Sequence, residues 1–597
     1  MTSLIPPRIA ALKTVMSKAR VDAYIIPTAD PHQSEYVPEY WAGRYWISGF
    51  HGSAGTVVVT ADHAGLWTDS RYFLQAELEL KGSGVTLHKL LAQAQAEYMD
   101  WICSQLKSGQ TVGCDFWCFS LAQIRAFDKK LTEKGLHLKD CGDLMEDIWE
   151  NRPALSPEPI YEHALKYAGK SRELKLKSLR EQLKLQKADY ILLSALDEIA
   201  YLLNLRGKDV HCNPVFTSYL LVTMDHCDLF IPPDKLPEAL EKKLAEDGIH
   251  VKNYFTIKSV VQAIKPGKKI LIDPSTMNAK LAIQFPEGSL LSDVSPVMKM
   301  KALKSKAEIE HIRKVMEKDG AALVKAFMWL ENLLKKSKNC TEHEFAMKIM
   351  EFRSQQPLYV GESFDAIVGY QANGAIIHYK PDAKKSATIK AKGILLVDSG
   401  GQYQDGTTDI TRTIALSAPA PEVKKQYTAV LMGHIALADA IFPEGTKGIQ
   451  LDILARQYLW NMSLNYSHGT GHGVGYFMNV HEPPQGFVTS WNQRGQSEML
   501  EGMLTSNEPG YYEEGSHGIR IENLVINTLH TKSAKGNYLK FETVTLFPID
   551  LKLVHSPMMT KQCINWLNNY HKEVYNRIAP HLDASEKKWL KEKCKAI

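Results

Sequence analysis

Hydrophobic residues along this chain alternate between two spacings, and the order of the spacings repeats. Residues 8–19 place apolar side chains at helical intervals ahead of a short apolar run, Ala23-Tyr24-Ile25-Ile26; residues 174–186 do the same ahead of Tyr190-Ile191-Leu192. The segment Val59-Thr60-Ala61-Asp62-His63-Ala64-Gly65-Leu66-Trp67 returns as Val222-Thr223-Met224-Asp225-His226-Cys227-Asp228-Leu229-Phe230, an offset of 163. Upstream, Asp22-Ala23-Tyr24-Ile25-Ile26 matches Ala188-Asp189-Tyr190-Ile191-Leu192 at an offset of 166, so the copies differ by a short indel. Helix, strand, turn and strand in the same order predict a duplicated α/β unit of roughly 150 residues. Between the copies, residues 151–159 are proline-rich, as linkers are.

A second change of pattern falls near residues 298–306, where a Lys-rich run, taken as a solvated linker, leads into a long amphipathic helix over 307–334. Gly-punctuated strands follow, with a helical stretch over 422–441. From Thr560 onward Ile564, Leu567, Val574 and Ile578 recur at near-helical spacing, with Trp566 and Trp589 as apolar anchors. The expected organisation is a domain over 1–153, its duplicate over 154–302, and a third domain over 303–597 that ends in a helical extension.

Composition narrows the function classes. With 44% hydrophobic and 23% charged residues the 597-residue chain is globular, and its net charge of +4 calls for neither nucleic acid nor an anionic membrane. No stretch approaches the roughly 18 apolar residues of a membrane span. Residues 1–8 lack the apolar core of a signal peptide, and the nine cysteines form no CxxC pair, so a cytoplasmic protein with reduced thiols is expected.

The chemistry concentrates in the C-terminal half. The apolar run Ile394-Leu395-Leu396-Val397 delivers Asp398 to a Ser-Gly-Gly turn. Asp405-Gly406 then marks a second turn before Asp409 and the strand Ile410-Thr411-Arg412-Thr413-Ile414, a folded-back ribbon that brings the two aspartates together. His468-Gly469-Thr470-Gly471-His472 is too glycine-rich for a zinc-protease helix and lacks that motif's glutamate; its glycines also miss the GxGxxG spacing, so it reads as a loop that approaches a ligand or metal closely. Pro509 biases Glu508 toward extended geometry. In Ile519-Arg520-Ile521-Glu522-Asn523-Leu524 a period of two puts Arg520 and Glu522 on one strand face, Glu522 as a ligand and Arg520 as its partner. Asp398, Asp409, His472, Glu508 and Glu522 together offer four carboxylates and one imidazole, which suits two hard divalent cations such as Mn²⁺ or Mg²⁺ and predicts a two-metal hydrolase.

With these motifs the chain resembles the metallopeptidases of the pita-bread fold, in particular their three-domain cytosolic aminopeptidases that cut ahead of proline. The resemblance rests on Gly49-Phe50-His51-Gly52-Ser53-Ala54-Gly55-Thr56, Trp67-Thr68-Asp69-Ser70-Arg71-Tyr72-Phe73, Asn373-Gly374-Ala375-Ile376-Ile377-His378-Tyr379, Val397-Asp398-Ser399-Gly400, Asp405-Gly406-Thr407-Thr408-Asp409-Ile410-Thr411-Arg412-Thr413, His468-Gly469-Thr470-Gly471-His472-Gly473-Val474-Gly475 and Ser506-Asn507-Glu508-Pro509-Gly510-Tyr511-Tyr512. It implies an α/β (α+β) architecture of two related creatinase-like domains followed by a pita-bread catalytic domain. It also implies two Mn²⁺ per chain: Asp398 on one ion, His472 and Glu508 on the other, Asp409 and Glu522 bridging, with a hydroxide between them as nucleophile. In the same reading Glu508 doubles as acid/base, His378 and His481 hydrogen-bond the substrate, His468 lies against the proline, and Arg520 and Arg71 are further substrate contacts. The implied partners are peptides with proline in second position and a second copy of the chain, with no nucleic acid and no membrane. A prolidase restricted to dipeptides, a metal-free creatinase-type hydrolase and a non-catalytic module of the same fold are the competing readings.

Overall fold

The computed structural model describes residues 4–91 and 96–597, which fall into two compact units, Met1–Leu165 with Lys170–Met298, and Lys166–Gly169 with Lys299–Ile597. The first unit holds two six-stranded mixed sheets of one topology. In chain order the first sheet runs Ala23–Pro27, Thr56–Thr60, Ala64–Thr68, Thr86–Lys89, Thr111–Cys114 and His137–Asp140. The second runs Tyr190–Leu193, Tyr219–Thr223, Cys227–Ile231, His250–Asn253, Ile270–Ile272 and Leu290–Ser292. Across both sheets the strands lie in the order fourth, third, second, first, fifth, sixth, and each pairing has the same sense in the two copies.

Register refines the repeat. Ala23 lies opposite Thr60 and Tyr190 opposite Thr223, so the first strands correspond at an offset of 167, not 166. Asp22 and Asp189 then become equivalent, and they behave so: the Asp22 carboxylate accepts from the Thr111 N–H and the Gln110 side chain, the Asp189 carboxylate from the Lys269 N–H and the Lys268 ammonium. The sequence match had been pulled one position by the shared Tyr-Ile pair. Polar contacts join the two halves of this unit, among them His32 Nδ1 to the Ser194 carbonyl at 2.9 Å and the Asn278 amide to the Pro31 carbonyl at 2.9 Å. None of the nine cysteines, all of them among the described residues, forms a disulfide.

The second unit opens with the helix Lys306–Lys335, started by a capping box in which Ser305 Oγ accepts from the Glu308 N–H while the Glu308 carboxylate accepts from the Ser305 N–H. Its buried face carries Ile312, Met316, Leu323, Phe327 and Leu330. Gly320 lies within that face because a Cβ there would sit 2.4 Å from the Leu546 carbonyl oxygen. A three-stranded sheet, Ile367–Tyr370, Ile394–Ser399 and Ile410–Ala415, and a six-stranded sheet, ordered Ile441–Pro443, Gly536–Thr543, Asn523–Ser533, Leu504–Asn507, Gly471–Gly473 and Glu482–Phe487, carry the site residues. The helix expected over 422–441 is Pro421–Ala438, with Ile441 already in a strand. At the C-terminus, helix Lys561–Ile578 buries Leu567, Val574 and Ile578, and in helix Ala584–Lys593 the Trp589 indole N–H donates to Glu331 on the long helix. The tail is therefore part of the second unit's core.

The Lys-rich run departs from expectation. Lys301 and Lys304 are 3% and 5% exposed, not solvated, and both face Glu482. No helix among the described residues is long and apolar enough to cross a membrane.

Candidate metal centre

The all-apolar buried run of strand Ile394–Ser399 drives it into the interior and carries Asp398 with it. Antiparallel pairing with Ile410–Ala415 sets Asp398 opposite Thr411, so Asp409 emerges just beyond Ser399, as the ribbon reading requires. Glu522 stands between two strands, His517–Arg520 and Asn523–Ser533; the alternating run 519–524 is thus a crossing from one sheet to the next and not one strand. It is tied to the aspartate ribbon twice: its N–H donates to the Thr411 carbonyl (3.1 Å) and Thr411 Oγ1 donates to its carboxylate (2.8 Å).

His472 lies in the short strand Gly471–Gly473 instead of a loop; only His468 is in irregular chain. Gly471 permits this, since a Cβ there would be 1.9 Å from the Ser506 carbonyl oxygen, and the close approach brings His472 beside Glu508. Glu508 follows strand Leu504–Asn507 and its N–H donates to the Thr470 carbonyl at 2.7 Å.

The five side chains converge. Single ligand atoms of Asp409, His472 and Glu522 all lie within 4.8 Å of one another. His472 Nε2 is 3.6 Å from Asp409 Oδ2 and 3.3 Å from Glu508 Oε1. Its Nδ1 is 3.0 Å from the Gly473 carbonyl, which can only accept, so Nδ1 carries a proton; with Nε2 deprotonated, as a metal ligand must be, its lone pair faces two carboxylates. A cation between these atoms converts that repulsion into ligation, with the Nδ1–H bond fixing the ring.

Charge points the same way. Three buried carboxylates, Asp398, Asp409 and Glu522, and the part-buried Glu508 gather beside the Arg520 guanidinium, whose Nη2 donates to Asp398 Oδ2 at 2.7 Å. The guanidinium's partner is therefore Asp398, not Glu522 as the strand pattern suggested, because Glu522 lies past the end of the strand that carries Arg520. Asp398 Oδ1 is buried with no hydrogen-bond partner. Burial, then the neighbouring Asp398 and Glu508, hold Asp409 well above the usual carboxylate range. Burial, then Asp409, does the same to Glu522, and burial leads in lifting Glu508 to about 7. Excess negative charge, an orphaned carboxylate oxygen and an oxygen-dominated donor set fit two hard divalent cations.

A polar relay adjoins the five. Arg520 Nη1 donates to the Tyr512 hydroxyl (2.7 Å), and Tyr512 donates to His468 Nε2 (2.9 Å), whose Nδ1–H is already given to the Gly469 carbonyl. Arg456 and Asp452, one helical turn apart, hold that histidine's loop through the His468 and Tyr466 carbonyls and the Thr470 hydroxyl. His481 packs against His472 with ring centroids 4.3 Å apart and planes at 82°. His378 follows Ile377, whose carbonyl accepts from Arg520, and its loop is pinned by the buried Glu342 carboxylate through Asn373 and Tyr379. Arg71 belongs to the other compact unit, where Asp69 grips it at 2.7 and 2.8 Å.

Sequence reasoning missed Arg412 as a functional support. Fully buried, it donates to the carbonyls of Thr411, Glu522, Phe547 and Pro548 and to the Asn523 and Tyr570 side chains, clasping the strands of Asp409 and Glu522 to the C-terminal helix. Its only local signal was a charge in an otherwise uncharged strand.

The description "Metallopeptidase family M24" matches residues 310–528, "C-terminal region of peptidase_M24" residues 537–597, and "Creatinase/Prolidase N-terminal domain" both residues 8–148 and residues 151–308. Aminopeptidase P2 of Arabidopsis thaliana is 40% identical, covering 98% of this chain and 88% of its own. Xaa-Pro aminopeptidase 1 of Dictyostelium discoideum is 39% identical over 99% and 97%. The chain belongs to metallopeptidase family M24. Its architecture is two creatinase-like N-terminal domains and a pita-bread domain, and the solved X-prolyl aminopeptidase of Caenorhabditis elegans, described as a cytosolic enzyme with a di-nuclear active site, superposes with a TM-score of 0.95 at 35% identity, covering 99% of this chain and all of that one. The Xaa-Pro dipeptidase of Bacillus anthracis, at 22% identity and a TM-score of 0.50, shares the fold.

The raised carboxylates make a pH prediction. In the metal-free folded chain Glu508 titrates near 7, above its ordinary 4.5, so between these values the folded state binds more protons than the unfolded state. Stability of the metal-free chain therefore falls as pH rises through that window, and divalent metal, which competes with those protons, restores more as pH rises. Scanning calorimetry with and without Mn²⁺ from pH 5 to 8 should show the difference in Tm widening with pH; a constant difference contradicts it.

Proposed function

We propose that this chain is a two-metal aminopeptidase that removes the N-terminal residue from peptides whose second residue is proline. The observation that carries the reading is the convergence of Asp409, His472 and Glu522, with Asp398 and Glu508 beside them and Arg520 bonded to Asp398. In this reading Asp398 holds one Mn²⁺, His472 and Glu508 the other, and Asp409 and Glu522 both. When bound, the cations supply Lewis acidity toward a water and the scissile carbonyl.

The chain's own residues do the rest. Glu508 accepts a proton from the attacking water and returns it to the prolyl nitrogen, which must be protonated to leave because an amide anion is too basic a leaving group. His378 and His481 donate hydrogen bonds to substrate oxygens as charge develops. His468, oriented by Tyr512 and the Gly469 carbonyl, lies against the proline ring, and Arg520 orients the Asp398 carboxylate through its Nη2–H. Domain limits at 1–153, 154–302 and 303–597, a cytoplasmic location and a homodimer complete the proposal. Ile453 and Trp460, two helical turns apart and each about half exposed, support a face for a second copy.

Substrate choice tests the proposal. The Mn²⁺-loaded protein should release the first residue of Xaa-Pro tripeptides and longer peptides. Alanine in second position should remove most of the rate, and acetylation of the N-terminus should abolish it. Cleavage confined to Xaa-Pro dipeptides would make the chain a prolidase instead.

A further inference from the structure

Two lysines that the sequence pattern assigned to a linker are among the most deeply buried charges of the catalytic unit. Lys304 Nζ donates to Glu482 Oε2, Lys301 Nζ lies 3.2 Å from Glu482 Oε1, and the three side chains are 1–2% exposed. Lys304 Nζ also donates to the Lys301 carbonyl at 2.8 Å. Desolvation takes several kcal/mol per ion, so a buried cluster of charges is a poor way to stabilise a fold. What it provides is fixed geometry.

The geometry bears on His481. Glu482 is the next residue and starts strand Glu482–Phe487, with its backbone opposite Gly473, the neighbour of His472. His481 lies at a bend immediately before that strand, so anchoring the Glu482 side chain fixes the start of the strand and with it the backbone from which the His481 ring reaches His472. The His481 carbonyl is held in turn by the Asn479 amide at 3.0 Å. The same lysine segment fastens to the strand that leads to Glu508: the Lys304 N–H donates to the Gly502 carbonyl at 3.0 Å and Leu303 bridges Met503. One segment thus ties down the chain ahead of two residues of the site.

We infer that Lys301, Lys304 and Glu482 form a clamp of positioning residues that aims His481 at the substrate. The inference rests on the role proposed for His481, and a double-mutant cycle separates the two. His481→Ala should lower kcat by about 10²-fold with metal content unchanged. Lys304→Met leaves Lys301 beside Glu482, so the full chain should stay folded and hold its metals; it should lower kcat by about 10-fold while KM changes little. In the double variant Lys304→Met should add nothing, because its target is gone. If the two losses multiply, the clamp acts by another route and the inference is wrong, although the proposed function stands. If His481→Ala leaves kcat unchanged, the role of His481 falls and the inference with it. Should Lys304→Met not fold, Lys301→Met, which leaves Lys304–Glu482, reads the same cycle.

Discussion

Asp409→Ala is expected to leave the protein unable to keep either metal ion and without measurable peptidase activity, while both sheets of the N-terminal unit stay folded. Asp409 ends the ribbon that starts at Asp398, and its carboxylate lies between His472 on one side and Glu522 on the other. In the proposed assignment it is shared by both ions, so its loss removes a ligand from each and not from one. Truncation to alanine also takes away a carboxyl group whose ionisation burial and its neighbours oppose in the metal-free site, so the folded chain should not be destabilised in the absence of metal. The two effects together, lost metal with retained fold, distinguish a ligand from a structural acid. Metal analysis after gel filtration, with circular dichroism on the same sample, reads both; retention of two ions per chain would contradict the assignment.

Arg412→Met should unfold or severely destabilise the catalytic unit, the largest structural effect expected of any single change near the site. Its guanidinium satisfies four buried carbonyls and two side chains at once, and each acceptor stranded without a donor costs about 1–3 kcal/mol. The sum exceeds the roughly 4 kcal/mol that single substitutions rarely pass. Lysine should not rescue, because a point ammonium cannot reach partners arranged around a planar fork. Tyr570→Phe is the graded control: it removes one hydroxyl of the same cluster and should cost about 1 kcal/mol. Thermal unfolding of the three variants checks the order, and an Arg412→Met protein with unchanged Tm would show that the clasp carries little of the site's rigidity.

Much of this architecture was legible locally. The apolar run before Asp398, the turn glycines before Asp409, the serine three residues ahead of Glu308 and the recurrent Val-Thr-x-Asp-His of the two sheets are signals within a dozen residues, where period and turn chemistry operate. The five candidate ligands came from the same signals. What stayed hidden are partnerships across long separations. Arg520 and Asp398 are 122 residues apart, Arg412 and Tyr570 158, Lys304 and Glu482 178. A Lys-rich segment looks solvated because nothing near it in sequence announces a buried carboxylate, and alternation inside 519–524 cannot reveal that the chain changes sheets at Ile521. The one-residue slip in the repeat has a related cause: side-chain identity favoured Tyr24 with Tyr190, while hydrogen-bond register pairs Ala23 with that position.

The account stands or falls on whether two metals at these five residues drive cleavage before proline. Native mass spectrometry of the chelator-stripped full chain, titrated with Mn²⁺ while hydrolysis of an Xaa-Pro tripeptide is followed on the same samples, measures this directly. The expected result is two ions per chain at saturation and a rate that rises with occupancy from none in the stripped protein. Full activity in the stripped chain, or two bound ions with no release of the first residue, would contradict it.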